Sequence, residues 1–226
     1  MGRQLRLELR RSNPYRRRDF IISLSNETAV RALDAWPNWH GGCLALVGPE
    51  GTGKTHLARA WARRIGAGVF DADQFQETDL MGLRGRPVLL EDADRGVSDE
   101  LLFHLINMAG EPGGGLLLTA RTAPSSWRAA LPDLRSRLNA LAVAQLMPPD
   151  DVVLEGVLRK LFREHHIRPS DDLIAYLLRR IERSVPVARE VVRRLDDTAD
   201  AEQRPVSRAL ARQILEIGDE TDDMGE

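Results

Sequence analysis

Apolar positions follow two rhythms along this chain. Between residues 43 and 147 they gather in short continuous runs: Leu44 to Val47, Val69-Phe70, Pro87 to Leu90, Leu116 to Thr119, and Ala142 to Leu146. Runs this short, without polar alternation, predict strands buried on both faces, the pattern of a parallel sheet covered by helices. Helical spacing fills the gaps. Lys54 to Ile65 puts Leu57, Ala58, Trp61, Ala62 and Ile65 on one face. Ser98 caps a second helix holding Leu101, Leu102, Leu105, Ile106 and Met108, and Gly113 to Gly115 end that unit. Strand and helix in alternation predict an α/β fold with a five-stranded parallel sheet.

Pro148-Pro149 break this rhythm. Beyond them apolar residues recur at helical spacing over 150–166, 170–183, 186–198 and 206–216. Pro169, Pro186 and Pro205 lie near three of the starts, where a missing N–H costs nothing. The expected organisation is a tail over 1–18, an α/β domain over 19–147, a small all-helical domain over 148–217 and an acidic tail over 218–226.

Composition changes this picture little. In 226 residues, 42% apolar and 29% charged content fit a soluble globular protein with one sizeable domain and an appendage. A net charge of −2 gives no general attraction to nucleic acid. The charge is uneven, however. Residues 1–20 carry seven Arg against Glu8 and Asp19, and from Glu216 to Glu226 every charge is acidic, so both ends read as solvated tails. Cys43 is the sole cysteine and sits in an apolar run, which makes it a small buried hydrophobe and rules out an internal disulfide or cysteine zinc cluster. The start lacks an apolar leader, and no run approaches the ~18 residues of a membrane span, so a cytoplasmic protein is expected.

The first strand runs into Gly48-Pro49-Glu50-Gly51-Thr52-Gly53-Lys54-Thr55 and then a helix. This is the P-loop pattern in its required context. A phosphate chain needs several N–H donors converging on it, and glycines let the backbone come close enough. The helix that follows adds its positive end. Lys54 is a point charge for the β and γ phosphates, and the Thr55 hydroxyl is a ligand for Mg²⁺. ADP or ATP with Mg²⁺ is therefore the expected ligand, with Gly48, Gly51, Thr52, Gly53, Lys54 and Thr55 in contact.

Leu89-Leu90-Glu91-Asp92 has the form of a Walker B element, a buried strand that delivers acids beside the phosphates. Glu91 would hold Mg²⁺ and Asp92 would orient the attacking water. Glu91 stands where Asp is usual, which makes hydrolysis in the chain's own site less certain. Thr119 ends the next strand and either touches the γ-phosphate or makes a local hydrogen bond. Arg135 and Arg137 precede the last strand; either offers an arginine finger to a neighbour, or simply a surface charge. His165-His166 make a poor metal site because adjacent helical residues do not share a face, and no zinc is expected.

P-loop, acidic strand, sensor strand, Ser-Arg segment and helical domain together resemble AAA+ ATPases, in particular the DnaA-type replication initiators and their short Hda-type regulators. Asp19 to Asn26 resembles the initiator segment N-F-V-V-G-x-S-N, which implies that Ile21 and Ile22 line the adenine pocket. Gly53 to Leu57 resembles G-K-[ST]-H-L, bringing His56 to the nucleotide. Leu131 to Leu138 resembles L-P-D-L-x-S-R-L of the Hda-type regulators, which makes Arg137 the finger. Gln4 to Leu9 resembles their clamp-binding peptide, Q-L-x-L-x-L, so Gln4, Leu5, Leu7 and Leu9 are expected to dock on the sliding clamp, the β subunit of DNA polymerase III.

The resemblance covers about residues 18–217. The chain stops soon after the last predicted helix, so no C-terminal DNA-binding domain and no direct sequence-specific DNA binding are expected. It implies a regulator, itself a weak ATPase and possible homo-oligomer, that makes DnaA hydrolyse its ATP and so restrains re-initiation. The competing reading is a self-sufficient AAA+ ATPase, initiator-like or helicase-loader-like. A kinase-like transferase is disfavoured because the helical appendage follows the sheet. Two departures from the family pattern stand out. Pro186 occupies the place of the lid's sensor 2 arginine, with Arg189 three residues on as a substitute. Arg121 stands where an Asp is usual.

Overall fold

The computed structural model describes residues 15–222, with side chains to residue 216. The strands are β1 (Cys43–Val47), β2 (Gly68–Asp71), β3 (Pro87–Glu91), β4 (Gly115–Ala120) and β5 (Val143–Gln145). The helices are α1 (Glu27–Asp34), α2 (Lys54–Ile65), the single turn α3 (Glu77–Leu80), α4 (Asp99–Ala109) and α5 (Pro132–Ala140). Four more follow the sheet: α6 (Asp151–Glu164), α7 (Asp171–Arg180), α8 (Val185–Ala201) and α9 (Arg208–Asp222).

The strands form one sheet in the order β2-β3-β4-β1-β5, parallel at every pairing. Every residue of β1 and β4 is buried, as unbroken apolar runs require. Their side chains alternate between two cores. Cys43, Ala45, Val47, Leu116 and Leu118 pack with Leu102 and Leu105 of α4 and Leu134 and Leu138 of α5. Leu44, Leu46 and Leu117 face the other way, onto Val30 and Leu33 of α1 and Leu57, Ala58 and Trp61 of α2. Trp39 stacks on Trp61 with ring centroids 5.2 Å apart and closes the second core.

α4 begins as its sequence predicts: the Ser98 hydroxyl accepts from the Leu101 N–H. The sequence reading had no helix at α1, α3 or α5. Four charged or polar residues among the eight of α1 mask the apolar face made by Ala29, Val30 and Leu33. α5 starts with Pro132 in its first turn, where proline fits a helix rather than breaking it.

The four last helices pack around a core of their own. Leu154, Leu158 and Phe162 of α6 meet Leu173 and Leu177 of α7, Leu195 of α8 and Leu210 of α9. Asp150 and Ser170 cap α6 and α7 by accepting from the Val153 and Leu173 N–H groups. Among the described residues no helix is long and apolar enough to cross a membrane.

The strand order fixes the position of the site. β4 lies between β1 and β3, with Thr119 opposite Leu46 and Leu118 opposite Leu90. The loop after β1 and the acids ending β3 therefore flank Thr119 at the carboxyl edge of the sheet, where open α/β sheets bind ligands.

Candidate functional site

The loop from Gly48 to Thr55 joins β1 to α2 and is shaped by its glycines. Gly51 (φ 77°) and Gly53 (φ 94°) sit in the left-handed region. A Cβ on Gly48 would collide with the Leu146 carbonyl, so close approach demands glycine there. Lys54 is only 8% exposed, and its ammonium donates to the carbonyls of Gly48 (2.7 Å) and Pro49 (2.8 Å). The Thr52 hydroxyl donates to Pro49 O at 3.0 Å and tightens the same turn. Gly53 caps α2 with no side chain over its first N–H groups, which stay open to an anion. Burial pulls the Lys54 ammonium below the ordinary lysine range, and the nearby Asp92 pulls it back up.

Glu91 ends β3, 4% exposed. Its Oε2 accepts from Arg59 Nε at 2.7 Å, four residues after Thr55 on the same face of α2. Its Oε1 is buried with no hydrogen-bond partner. Burial raises the carboxyl above the usual range, opposed by Arg59 and by the nearby Thr55 hydroxyl. A buried orphan oxygen beside a threonine hydroxyl at the loop's mouth fits an oxygen-seeking cation: Thr55 and Glu91 would hold Mg²⁺, phosphates and water completing the shell. When bound, the ion would supply positive charge against phosphate oxygens.

Asp92 follows in left-handed backbone (φ 52°), exposed at the same mouth. Its N–H donates to Thr119 Oγ1 at 3.0 Å. That leaves the buried Thr119 hydroxyl its own proton to donate. Lys54, Thr55, Glu91, Asp92 and Thr119 thus meet at one edge of the sheet.

A wider cavity opens beside the loop, between the sheet domain and the helical domain. Phe20, Ile21, Asn26, Thr52, His56 and Arg189 line part of it. Asn26, buried, ties the segment by donating to the Ile21 carbonyl (2.9 Å) and accepting from the Ser23 N–H (3.1 Å). The His56 and Phe20 ring centroids lie 5.7 Å apart, and burial holds the His56 imidazole below the ordinary range. Ile22 departs from the expectation: it is 48% exposed and does not line the cavity, because an extended chain turns neighbouring side chains to opposite sides.

The helical domain touches the loop directly. The Val185 N–H at the start of α8 donates to Gly51 O at 3.2 Å. Pro186 lines the phosphate mouth, while Arg189 lines the wider cavity. Arg189 is therefore not at the γ-phosphate position for which the sequence offered it. One turn along α8 carries its side chain toward the wider cavity. Sequence reasoning assigned no role to Phe20, Asn26 and Arg59, which complete the site. The signal for Asn26 was available, as an Asn that folds its own segment; Arg59 is legible only once α2 and β3 are packed together.

Arg135 and Arg137 lie on α5, outside both openings. Arg135 donates to Ala129 O at 2.9 Å, while Arg137 is exposed and lays its guanidinium 5.2 Å from the Phe103 ring centroid. Gln4, Leu5, Leu7 and Leu9 lie outside the described residues.

No protein-family model matches the chain. It is 26% identical over 227 residues to the chromosomal replication initiator protein DnaA of Thermomicrobium roseum, covering 88% of this chain and 49% of that protein. The chain thus spans about half the length of this curated relative. The crystal structure of domain III of Thermotoga maritima DnaA superposes with a TM-score of 0.72 at 18% identity, covering 89% of this chain and 95% of that one. A replication initiator DnaA bound to AMPPCP and single-stranded DNA gives a TM-score of 0.65 at 18% identity, covering 84% and 68%. The five-stranded parallel sheet with a P-loop after its first strand and helices packed against that loop is thus the fold of DnaA domain III, and the chain is similar to DnaA in sequence.

Proposed function

We propose that this chain binds an adenine nucleotide at its P-loop and acts as a regulator of replication initiation. With the DNA-loaded sliding clamp it stimulates ATP hydrolysis by the initiator DnaA, through Arg137. The observation that carries this reading is the position of Arg137. It lies on α5 away from the chain's own phosphate mouth, exposed, with its guanidinium over the Phe103 ring face. A guanidinium placed there is at hand for a neighbour's nucleotide and useless to its own, whereas Arg135 is engaged by a backbone carbonyl. The AMPPCP held by a DnaA of like fold supports an adenine nucleotide here. On this reading Gln4, Leu5, Leu7 and Leu9 dock on the clamp, and the protein works in the cytoplasm.

The test is ATP turnover by purified DnaA with clamp-loaded DNA and this chain. Wild type accelerates it. Arg137→Ala loses most of the acceleration, on a scale where an arginine finger is worth roughly 10³–10⁵, while keeping nucleotide and clamp binding. Equal stimulation by Arg137→Ala sinks the reading, as does a wild-type chain that fails to retain the clamp. A second reading, a self-sufficient ATPase, draws on the gathering of Glu91, Asp92 and Thr119 at the chain's own loop. Robust turnover by the chain alone would favour it.

A further inference from the structure

The phosphate mouth holds a cation that the P-loop motif does not account for. Arg121 directly follows β4, two residues after Thr119. Its N–H donates to Asp94 Oδ2 at 2.9 Å, which anchors the backbone at that turn. Its guanidinium reaches to the P-loop, where Nη2 donates to Glu50 Oε2 at 2.6 Å. Both side chains face solvent, so the pair contributes little to stability and is free to exchange partners. Among the described residues Lys54 and Arg121 are the two cations lining the mouth, and burial, then the Arg121 charge, lower the Lys54 ammonium from the ordinary lysine range. The helical domain contributes Val185 and Pro186 there and, among the described residues, no arginine.

We propose that Arg121 is the residue by which this site distinguishes a nucleoside triphosphate from a diphosphate. The P-loop amides and Lys54 suffice for two phosphates. A third phosphate, which Lys54 also reaches, lies toward the ends of β3 and β4, where Thr119 and Arg121 stand. Glu50 holds the Arg121 guanidinium while that position is empty, and the γ-phosphate takes it over when it is filled. The exchange replaces an exposed carboxylate partner by one of higher charge, and a guanidinium suits either. The assignment rests on the reading that the P-loop binds an adenine nucleotide.

The test uses the full chain and a fluorescent adenine nucleotide displaced by ADP or by AMPPCP, which resists hydrolysis. For Arg121→Ala, AMPPCP weakens about tenfold or more, as loss of a charge-assisted hydrogen bond implies, while ADP stays within about twofold. Retained ADP affinity also shows that the variant is folded. Glu50→Gln frees Arg121 and tightens AMPPCP relative to ADP. Equal weakening of both nucleotides by Arg121→Ala, restored by Glu50→Gln, would mean that Arg121 only screens Glu50 and overturns the proposal. An unchanged AMPPCP-to-ADP ratio in Arg121→Ala overturns it as well. Wild type that binds neither nucleotide overturns both this assignment and the nucleotide reading; intact binding with an unchanged ratio overturns this assignment alone.

Discussion

Gly51→Ala tests whether the helical domain and the P-loop are one mechanical unit. Gly51 has φ 77°, and its carbonyl accepts from the Val185 N–H at 3.2 Å. A Cβ there would collide with the Ser184 hydroxyl and lie 3.0 Å from Pro186 Cδ. Left-handed backbone costs a residue with a Cβ roughly 1–2 kcal/mol. Moving α8 off the loop forfeits the Val185 hydrogen bond, about 1 kcal/mol more. The sum is about 2–3 kcal/mol, which for a chain of this size lowers the melting temperature by about 5–10 °C. Hydrogen exchange at Val185 accelerates in the same variant. The backbone penalty is separable from the contact. Gly51→Ala combined with Ser184→Gly relieves the collision but keeps the strained φ, so the two changes couple by about 1 kcal/mol. Additive effects with unchanged Val185 protection would show that the helical domain does not rest on the loop as described.

Three further outcomes follow from the same geometry. Lys54→Ala removes the donor shared by the Gly48 and Pro49 carbonyls and the charge for the phosphates; adenine-nucleotide affinity measured by fluorescence titration drops about ten- to hundredfold or more. Arg59→Leu strands the buried Glu91 carboxylate. Breaking a fully buried pair costs about 3–5 kcal/mol, but Arg59 is partly exposed, so about 1–3 kcal/mol is expected in urea unfolding, with part recovered by adding Glu91→Leu. Cys43 is buried and its thiol is pushed up to about 12, chiefly by burial. A thiol reagent at pH 8 therefore labels it only at the rate of opening, and one thiol per chain beyond the urea midpoint. Its folded state holds the proton longer than the unfolded one, so stability falls as pH climbs above the unfolded thiol's ~8.5. Rapid labelling of the folded chain would contradict the burial.

The central strands β1, β3 and β4 were legible because parallel strands buried on both faces leave unbroken apolar runs, whereas β2 and β5, at the sheet edges, expose alternate residues and were not buried on both faces as expected. The P-loop was legible because its chemistry is local: eight consecutive residues supply amides, cation and hydroxyl. The remainder of the site depends on contacts between distant segments. Arg59 reaches Glu91 from 32 positions away, and Arg121 reaches Glu50 from 71. No spacing rule encodes such pairs. Arg189 shows the reverse error. Its helical spacing from Pro186 is right, but where each position of α8 points depends on how the helical domain seats against the loop, which periodicity does not specify.

The cations around the phosphate mouth are each paired within the protein. Arg121 is held by Glu50, Arg59 by Glu91, and Lys54 by two carbonyls, with Asp92 nearby. A polyphosphate entering this site would not fill a ring of idle cations; it would take partners from groups already paired. Its net affinity is then a difference between two sets of interactions, and each group released must settle elsewhere. Glu91 is buried at the end of β3, so its pair with Arg59 is retained and leaves Oε1 for a cation. Arg121 and Glu50 are free to exchange partners, because both face solvent. The P-loop that moves with Glu50 also carries the Gly51 carbonyl on which α8 rests. A change of partner at Arg121 would reach the helical domain through one short stretch of backbone, Glu50-Gly51. If that coupling operates, Arg121→Ala abolishes any difference in Val185 hydrogen exchange between the ADP-bound and AMPPCP-bound chain; a difference that survives the substitution requires another route from the phosphates to the helical domain.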